Sequence, residues 1–471
     1  MWPAREPQTS GMKHPMAPAV ARTVDTPLLV VALAAGKGVR MRSALPKVLH
    51  QVGGRSMLAH TLAGAAELGA RHIAVVVGPG MEAVRAEAGR MSPGPELFEQ
   101  TEQLGTAHAV LAARPALERH DGSVLIVFAD SPLVEPATLR RMLDVLDQGG
   151  QIAVLAFEPA DPGGYGRLIL DGQGRVTAIR EDKDASEAER RIRLCNAGAM
   201  AFRVPDLAGL LGRIGNANAK AEYYLTDALA LAAADGLVAL PVHCAAEEAQ
   251  GVNSRAQLAA AEAVFQQRAR ARAMQGGATL LAPETVWLSY DTALGRDVLI
   301  EPNVFFGPGV VVEDGAHIMA NCHFVGARVR AGARVGPFAR LRAGADIGPQ
   351  AHIGNFVEVK NARLEAGAKA NHLSYIGDGR VGEGANIGAG TIFCNYDGFD
   401  KHITDVGAGA FVGSNSSLVA PVKIGDGAYI GSGSVIAHDV EADALALERS
   451  AQEVRPGWAA KFRGRRQRAK K

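Results

Sequence analysis

The sequence predicts an α/β domain on a mostly parallel sheet, followed by a parallel β-helix of hexapeptide repeats. Three observations predict it. From Pro27 to Gly251, short apolar runs alternate with Ala-rich stretches, the pattern of a mostly parallel sheet covered on both faces. Residues 254–275 then run without Gly or Pro. Beyond them Gly becomes dense and apolar residues recur every six positions, a period that suits neither a helix nor an alternating strand.

Taken in order, the strand candidates of the first part are Leu28–Leu33, Ile73–Val77, Val124–Phe128 and Ile152–Phe157. Ser56–Glu67 and Ala137–Leu146 read as helices between them. Ser254 caps a helix of about six turns that Gly276-Gly277 ends. Val335, Leu341, Ile347, Ile353 and Val359 form one six-residue series; Val406, Val412, Leu418, Ile424, Ile430 and Ile436 form another. Three hexads make one triangular coil, with each repeat side chain turned inward. The period breaks between about Gly388 and Asp405, which predicts an inserted loop. The expected organisation is a disordered extension over 1–26, an α/β domain over 27–251, a linker helix over 252–275, a β-helix over 276–450 and a basic tail over 451–471.

Bulk properties exclude several classes. The formal charge of the 471 residues is +1, so no global field favours nucleic acid or an anionic membrane. The basic run Arg463–Lys471 reads as a frayed, solvated end. No apolar run approaches the roughly 18 residues that cross a bilayer. Four scattered cysteines, Cys195, Cys244, Cys322 and Cys394, form neither a zinc motif nor a disulfide framework. A reducing compartment, the cytoplasm, fits them.

The stretch Leu33–Lys47, LAAGKGVRMRSALPK, carries the clearest chemistry. A buried strand opens into a Gly-rich turn, and Lys37, Arg40, Arg42 and Lys47 follow. Glycine lets the backbone approach phosphates, bare N–H groups point at the oxygens, and cations neutralise them. The spacing is neither GxGxxG nor GxxxxGK[ST]. Asp130 ends a strand in FADSP, where a carboxylate suits Mg²⁺. Ligands in such sheets sit at the carboxyl ends of the strands, where both features fall.

The first stretch resembles the signature of nucleoside-diphosphate-sugar pyrophosphorylases. Over Leu28–Trp458 the chain resembles the bacterial bifunctional N-acetylglucosamine-1-phosphate uridylyltransferase and glucosamine-1-phosphate N-acetyltransferase. The runs that carry the resemblance include EQLGTAH, GYGR, NAGAM, EYYLTD, GNFVEVKNA, NHLSYIGD, NIGAGTIFCNYDG and FVGSNSSLVAPV. It implies a Rossmann-like nucleotidyltransferase domain, a left-handed β-helix and a homotrimer assembled through that β-helix, with small-molecule substrates.

The resemblance also implies roles. Leu33, Ala34, Ala35, Gly36, Lys47, Gln100, Gly105, Thr106, Phe128, Ala129 and Asp130 hold the uridine nucleotide, with UTP as co-substrate. Gly166, Glu181, Asn196 and Asn253 hold N-acetylglucosamine. Asp130 and Asn253 bind Mg²⁺, while Arg40 and Lys47 act in catalysis. In the second domain His372 is the general base, and imidazole, titrating near neutrality, suits that task. Arg342, Lys360 and Tyr375 grip the sugar phosphate. Asn386 holds sugar hydroxyls, and Asn395 and Tyr396 serve the sugar and acetyl-CoA. Ala389, Ser414, Ser432 and Arg449 lie along acetyl-CoA, with Arg449 near its phosphates. Glu358 is expected to orient His372 or the amine. Phe128-Ala129-Asp130 departs from the usual Tyr-Gly-Asp, which puts the local backbone geometry in question. Ser432 departs from the usual Ala.

Overall fold

The computed structural model describes residues 26–91 and 94–468. The extension expected over 1–26 lies outside them, apart from Thr26. The chain forms two compact units. One comprises the chain up to Lys37, Thr61–Ala129 and Val134–Ala249; the other comprises Gly38–His60, Asp130–Leu133 and the chain from Gln250 onward.

The first unit is a twisted sheet with helices. Its main strands are β1 (Leu28–Leu33), β2 (His72–Val77), β3 (Glu96–Glu99), β4 (Ser123–Phe128), β5 (Ile152–Phe157), β6 (Cys195–Phe202) and β7 (Ala239–His243). They lie in the order β7-β5-β6-β4-β1-β2-β3. All neighbours are parallel except β6, which runs antiparallel to β4 and β5. The strands centred in the sheet read as continuous apolar runs because both of their faces are buried: every residue of β1 and β5 is buried. The four expected strands appear within a residue of their predicted starts. The antiparallel β6 was not anticipated; its Gly-interrupted run Cys195–Phe202 breaks the alternation that marks a strand.

The second unit is a three-sided parallel β-helix. Strands pair with those one coil on, mostly seventeen or eighteen residues away, as Ile353 pairs with Ala370 and Phe411 with Tyr429. The coil is twenty-five residues at Gly379–Thr404. The longer coil holds the inserted loop, narrowed to the stretch between Ile392–Cys394 and Thr404–Val406. All eleven residues of the two six-residue series lie in one apolar core, the least buried being Ile436 at 5% exposure. The recurring Gly after the apolar residue has a packing cause. A Cβ on Gly348, Gly413 or Gly425 would stand 2.5, 2.4 or 2.3 Å from backbone atoms of the next coil. These glycines admit close stacking rather than a left-handed backbone.

The expected helix spans Arg255–Gln275, and the Ser254 hydroxyl accepts from Gln257 N–H at 3.3 Å. It belongs to the second unit. Ala269 and Ala273 pack on the β-helix core. Gln266 exchanges hydrogen bonds of 2.7 and 2.9 Å with the Leu288 backbone. The tail departs from expectation: Trp458–Arg468 is helical rather than frayed, with Trp458 and Phe462 stacked one turn apart at 5.2 Å. Its described side chains are nonetheless almost all exposed.

Because each coil supports the next, truncating the core should be costly. Ile424→Ala removes a fully buried side chain and is expected to cost about 2–5 kcal/mol. Gly425→Ala adds a Cβ against the Ala442 backbone and should cost about 1–3 kcal/mol. Denaturant unfolding reads both; wild-type midpoints would contradict this account of the coil stack.

Candidate active sites

In the first unit, the carboxyl ends of β1 and β4 lie side by side, with Leu33 in register with Phe128. Ala34 N–H bonds the Val76 carbonyl at 2.8 Å, and Ala129 N–H bonds the Leu33 carbonyl at 3.1 Å. These bonds hold Leu33, Ala34, Ala35, Phe128 and Ala129 together, all but Phe128 buried. The Ala129 methyl is fully buried and the strand register is intact, so the departure from Gly leaves the backbone regular. Gly36 is exposed, and a Cβ there would meet nothing within 4 Å. The Gln103 side chain, which sequence reading passed over, donates to the Ala35 carbonyl and ties the Gly-rich turn to the loop before Gly105.

Gln100 and Gly105 meet directly, since the Gln100 amide donates to the Gly105 carbonyl at 3.0 Å. Gly105 has φ +126°, and a Cβ would stand 2.5 Å from the Tyr223 carbonyl, so only Gly fits. The Thr106 hydroxyl accepts from Leu225 N–H at 2.8 Å.

The amino-sugar residues of this unit also converge. Asn196 sits at an irregularity of β6, where the register shifts before Met200; such bulges re-aim side chains. Its N–H bonds the Gly166 carbonyl at 2.8 Å, and a Cβ on Gly166 would lie 3.5 Å from Glu181 Oε1. Burial pushes the Glu181 carboxyl above its ordinary range, opposed by the Thr226 hydroxyl, which donates to it at 3.0 Å.

In the second unit, Lys47, Asp130 and Asn253 form one cluster. The Lys47 ammonium pairs with Asp130 Oδ2 and donates to Asn253 Oδ1 at 3.1 Å. Gly38, at φ +62°, permits this segment's fold, because a Cβ there would stand 2.5 Å from Lys47 Cβ. Asp130 and Asn253 thus offer two hard oxygens that already attract one cation, a donor set that fits Mg²⁺ completed by water and phosphate oxygens. Arg40 is exposed in a short 3-10 turn, Val39–Met41.

The β-helix brings His372 into register with Asn355, one coil back. His372 Nδ1 lies 2.7 Å from Asn355 Oδ1. An amide oxygen only accepts, so Nδ1 carries the proton and Nε2 keeps its lone pair. The expected contact of Glu358 with His372 is not formed. Glu358 is taken by Arg342 at 2.8 Å and Arg340 at 3.3 Å. Asn355 was legible only through coil arithmetic: a residue seventeen before His372 is its neighbour.

One rung links each of the next residues. Gly390 N–H bonds the His372 carbonyl at 3.2 Å, Asn415 N–H the Ala389 carbonyl at 2.7 Å, and Gly433 N–H the Ser414 carbonyl at 2.8 Å. The Arg449 guanidinium donates to the Ser432 carbonyl at 2.7 Å. His372, Ala389, Ser414, Ser432 and Arg449 therefore climb one column of the prism. Four rungs at strand spacing span about 19 Å.

Lys360 and Tyr375 lie on the fourteen-stranded sheet, where Glu358 pairs with Tyr375 and Lys360 with Gly377; Arg342 follows the strand Arg340–Leu341, and its N–H bonds the Val359 carbonyl at 2.8 Å. The Lys360 ammonium sits 3.5 Å from Asp378. Lys360 and Lys401, the latter from the inserted loop, share a hydrogen bond: Lys360, beside the Asp378 carboxylate, is held above its ordinary range, and Lys401 is held below it by the neighbouring ammonium. Burial would raise the Asp378 carboxyl, but the amides of Asn361 and Asn395 and the Lys360 charge hold it below its ordinary value. The Asn395 side chain is buried, and its amide donates to Asp378 Oδ2. The Tyr396 hydroxyl donates to the Gly398 carbonyl at 2.6 Å. Asn386 is not brought to Arg342 and Tyr375 within one chain; it pairs with Lys369 and Phe411 on the ten-stranded sheet.

Comparisons with known proteins agree with this fold. A family described as MobA-like NTP transferase domain matches residues 30–200. One described as bacterial transferase hexapeptide (six repeats) matches residues 404–438, the class of left-handed β-helix expected. A protein named Bifunctional protein GlmU from Azorhizobium caulinodans is 60% identical over 439 residues, 93% of this chain and 98% of its own. Its namesake from Xanthobacter autotrophicus is 58% identical over 446 residues, 95% of this chain and 99% of its own. That from Paramagnetospirillum magneticum is 53% identical over 448 residues, covering 94% and 98%. Sharing most of its residues with these relatives along nearly their full length, the chain belongs to the GlmU family of bifunctional enzymes, which unite N-acetylglucosamine-1-phosphate uridylyltransferase and glucosamine-1-phosphate N-acetyltransferase.

Proposed function

We propose that the chain makes UDP-N-acetylglucosamine in two steps, acetylating glucosamine 1-phosphate first and transferring a uridylyl group second. The observation that carries this reading is His372, held by Asn355 with Nε2 free, because a scaffold needs no such base. His372 Nε2 takes a proton from the sugar amine as the amine attacks the thioester carbonyl of acetyl-CoA. The tetrahedral adduct then expels the coenzyme A thiolate. Arg342, Lys360, Tyr375 and Lys401 hold the sugar phosphate by charge and hydrogen bonding. Acetyl-CoA lies along the column from Ala389 through Ser414 and Ser432, with Arg449 at its phosphates and Asn395 and Tyr396 flanking it through the backbone of the inserted loop.

A homotrimer completes this site. Asn386 stands on a different sheet from Tyr375, so one copy supplies only part of the sugar-binding set. Phe338, Phe356 and Leu373 support the same reading. They climb the coils to the residue beside His372, are 49, 55 and 60% exposed, and have φ of +57, +57 and +51°. Bulky apolar side chains in left-handed backbone rarely face water without a partner.

In the uridylyl step, Leu33–Gly36, Gln100, Gly105, Thr106, Phe128 and Ala129 hold UTP, and Gly166, Glu181, Asn196 and Asn253 hold N-acetylglucosamine 1-phosphate. The sugar phosphate attacks the α-phosphorus in line and pyrophosphate leaves. Asp130 and Asn253 would hold Mg²⁺, which neutralises charge on the phosphates when bound. Lys47 and Arg40 supply the remaining positive charge. The cytoplasm, which holds acetyl-CoA and UTP, is the compartment this reading assigns.

The founding experiment supplies glucosamine 1-phosphate, acetyl-CoA, UTP and Mg²⁺ and follows free thiol and pyrophosphate separately. Both should appear, with pyrophosphate dependent on prior acetylation. If pyrophosphate forms only when N-acetylglucosamine 1-phosphate is added, the β-helix is a scaffold. His372→Ala should lower acetyl transfer by about 10²–10⁴ and leave uridylyl transfer intact; unchanged thiol release would remove the base assignment. Asn355→Ala should lower kcat for acetyl transfer by roughly tenfold with little change in KM, since it frees the imidazole tautomer. Asp130→Ala should abolish pyrophosphate release and spare thiol release, and retained turnover would refute the metal assignment.

A further inference from the structure

Gln100 is 4% exposed, so the orientation of its amide is set by its neighbours. Its backbone N–H is anchored on the Val77 carbonyl at the end of β2, at 2.9 Å. Both side-chain N–H groups have acceptors: the Gly105 carbonyl at 3.0 Å and His108 Nδ1 at 3.2 Å. The nitrogen of a primary amide only donates, so His108 Nδ1 accepts and its proton resides on Nε2. Among the described residues no donor is bonded to Gln100 Oε1. Nor is any acceptor bonded to Gly105 N–H. One acceptor and one donor therefore remain in the same loop.

We propose that His108 is a positioning residue for base selection: by accepting from Gln100 it turns the amide oxygen toward the ligand, so that Gln100 and Gly105 together read a base edge carrying N–H beside C=O. The proposal rests on the uridylyl-transfer reading. Uracil presents this edge through N3–H and its adjacent carbonyl. Cytosine presents a bare N3 beside its carbonyl, and its lone pair faces the Gln100 oxygen without a proton between them. A flipped amide would reverse that preference, because its NH₂ group could donate to cytosine N3. The Gly105 carbonyl, whose other lone pair takes Ala109 N–H at 3.0 Å, opposes the flip through one amide N–H, and His108 Nδ1 opposes it through the other. A buried group left with the wrong partner is what makes such sites selective.

The test is the ratio of kcat/KM for UTP over CTP in pyrophosphate release with N-acetylglucosamine 1-phosphate. The wild type should favour UTP. In His108→Ala the ratio should fall about five- to tenfold, the effect of one hydrogen bond. His108→Asn, whose amide oxygen can accept in place of Nδ1, should keep the ratio within about threefold. A merely structural role would lower both substrates together and leave the ratio unmoved, and that result overturns the proposal. If His108→Ala is insoluble, His108→Leu, which fills the space without an acceptor, decides: a fallen ratio supports the role and an unmoved one overturns it. A wild type that favours CTP overturns the edge reading. No turnover of either nucleotide by the wild type refutes the uridylyl-transfer reading itself.

Discussion

Close stacking of successive coils is the constraint on which the second unit depends. Each coil returns the chain onto itself after about three hexads, and the strands above and below bond in parallel register. The register turns sequence separation into spatial adjacency. Asn355 meets His372, Arg342 meets Glu358, and Ala389, Ser414 and Ser432 line up beneath His372. The glycines after the inward-facing aliphatics permit this approach. The column proposed for acetyl-CoA is thereby made from single residues on consecutive rungs.

The first unit solves its problem differently. An apolar sheet buries its strands, and the backbone is released only at their carboxyl ends. There the chain has short side chains, Ala34, Ala35, Gly36 and Ala129, with hydrogen bonds across strands to fix them. Polar function is carried by loops and by one irregular strand. The register shift at Asn196 and the conformation of Gly105 each replace regular structure at a residue proposed to hold substrate.

Much of this was legible before any coordinates. Periods of six and alternating apolar runs reflect burial, and burial is a property that composition along the chain records directly. The inserted loop was visible as lost phase. What escaped was anything that depends on partners across the fold. Glu358 was expected to orient His372 or the amine, but the guanidinium groups of Arg342 and Arg340 take its carboxylate. The bond from the Asn395 amide to the buried carboxylate of Asp378 was not anticipated. The terminal helix was read as frayed because its charge density masks an aromatic pair at helical spacing.

The sequence by itself determined the two architectures and where the glycine-rich turn falls, which follow from residue types and their local spacing; His372 as the proposed base came from the family resemblance. Only the tertiary structure decided which nitrogen of His372 is bonded, which groups take the Gln100 amide N–H groups, and that Tyr375 and Asn386 stand on different sheets. Each of those outcomes is set by a hydrogen bond or strand pairing between residues distant in sequence, and such pairings leave no periodic trace in the chain.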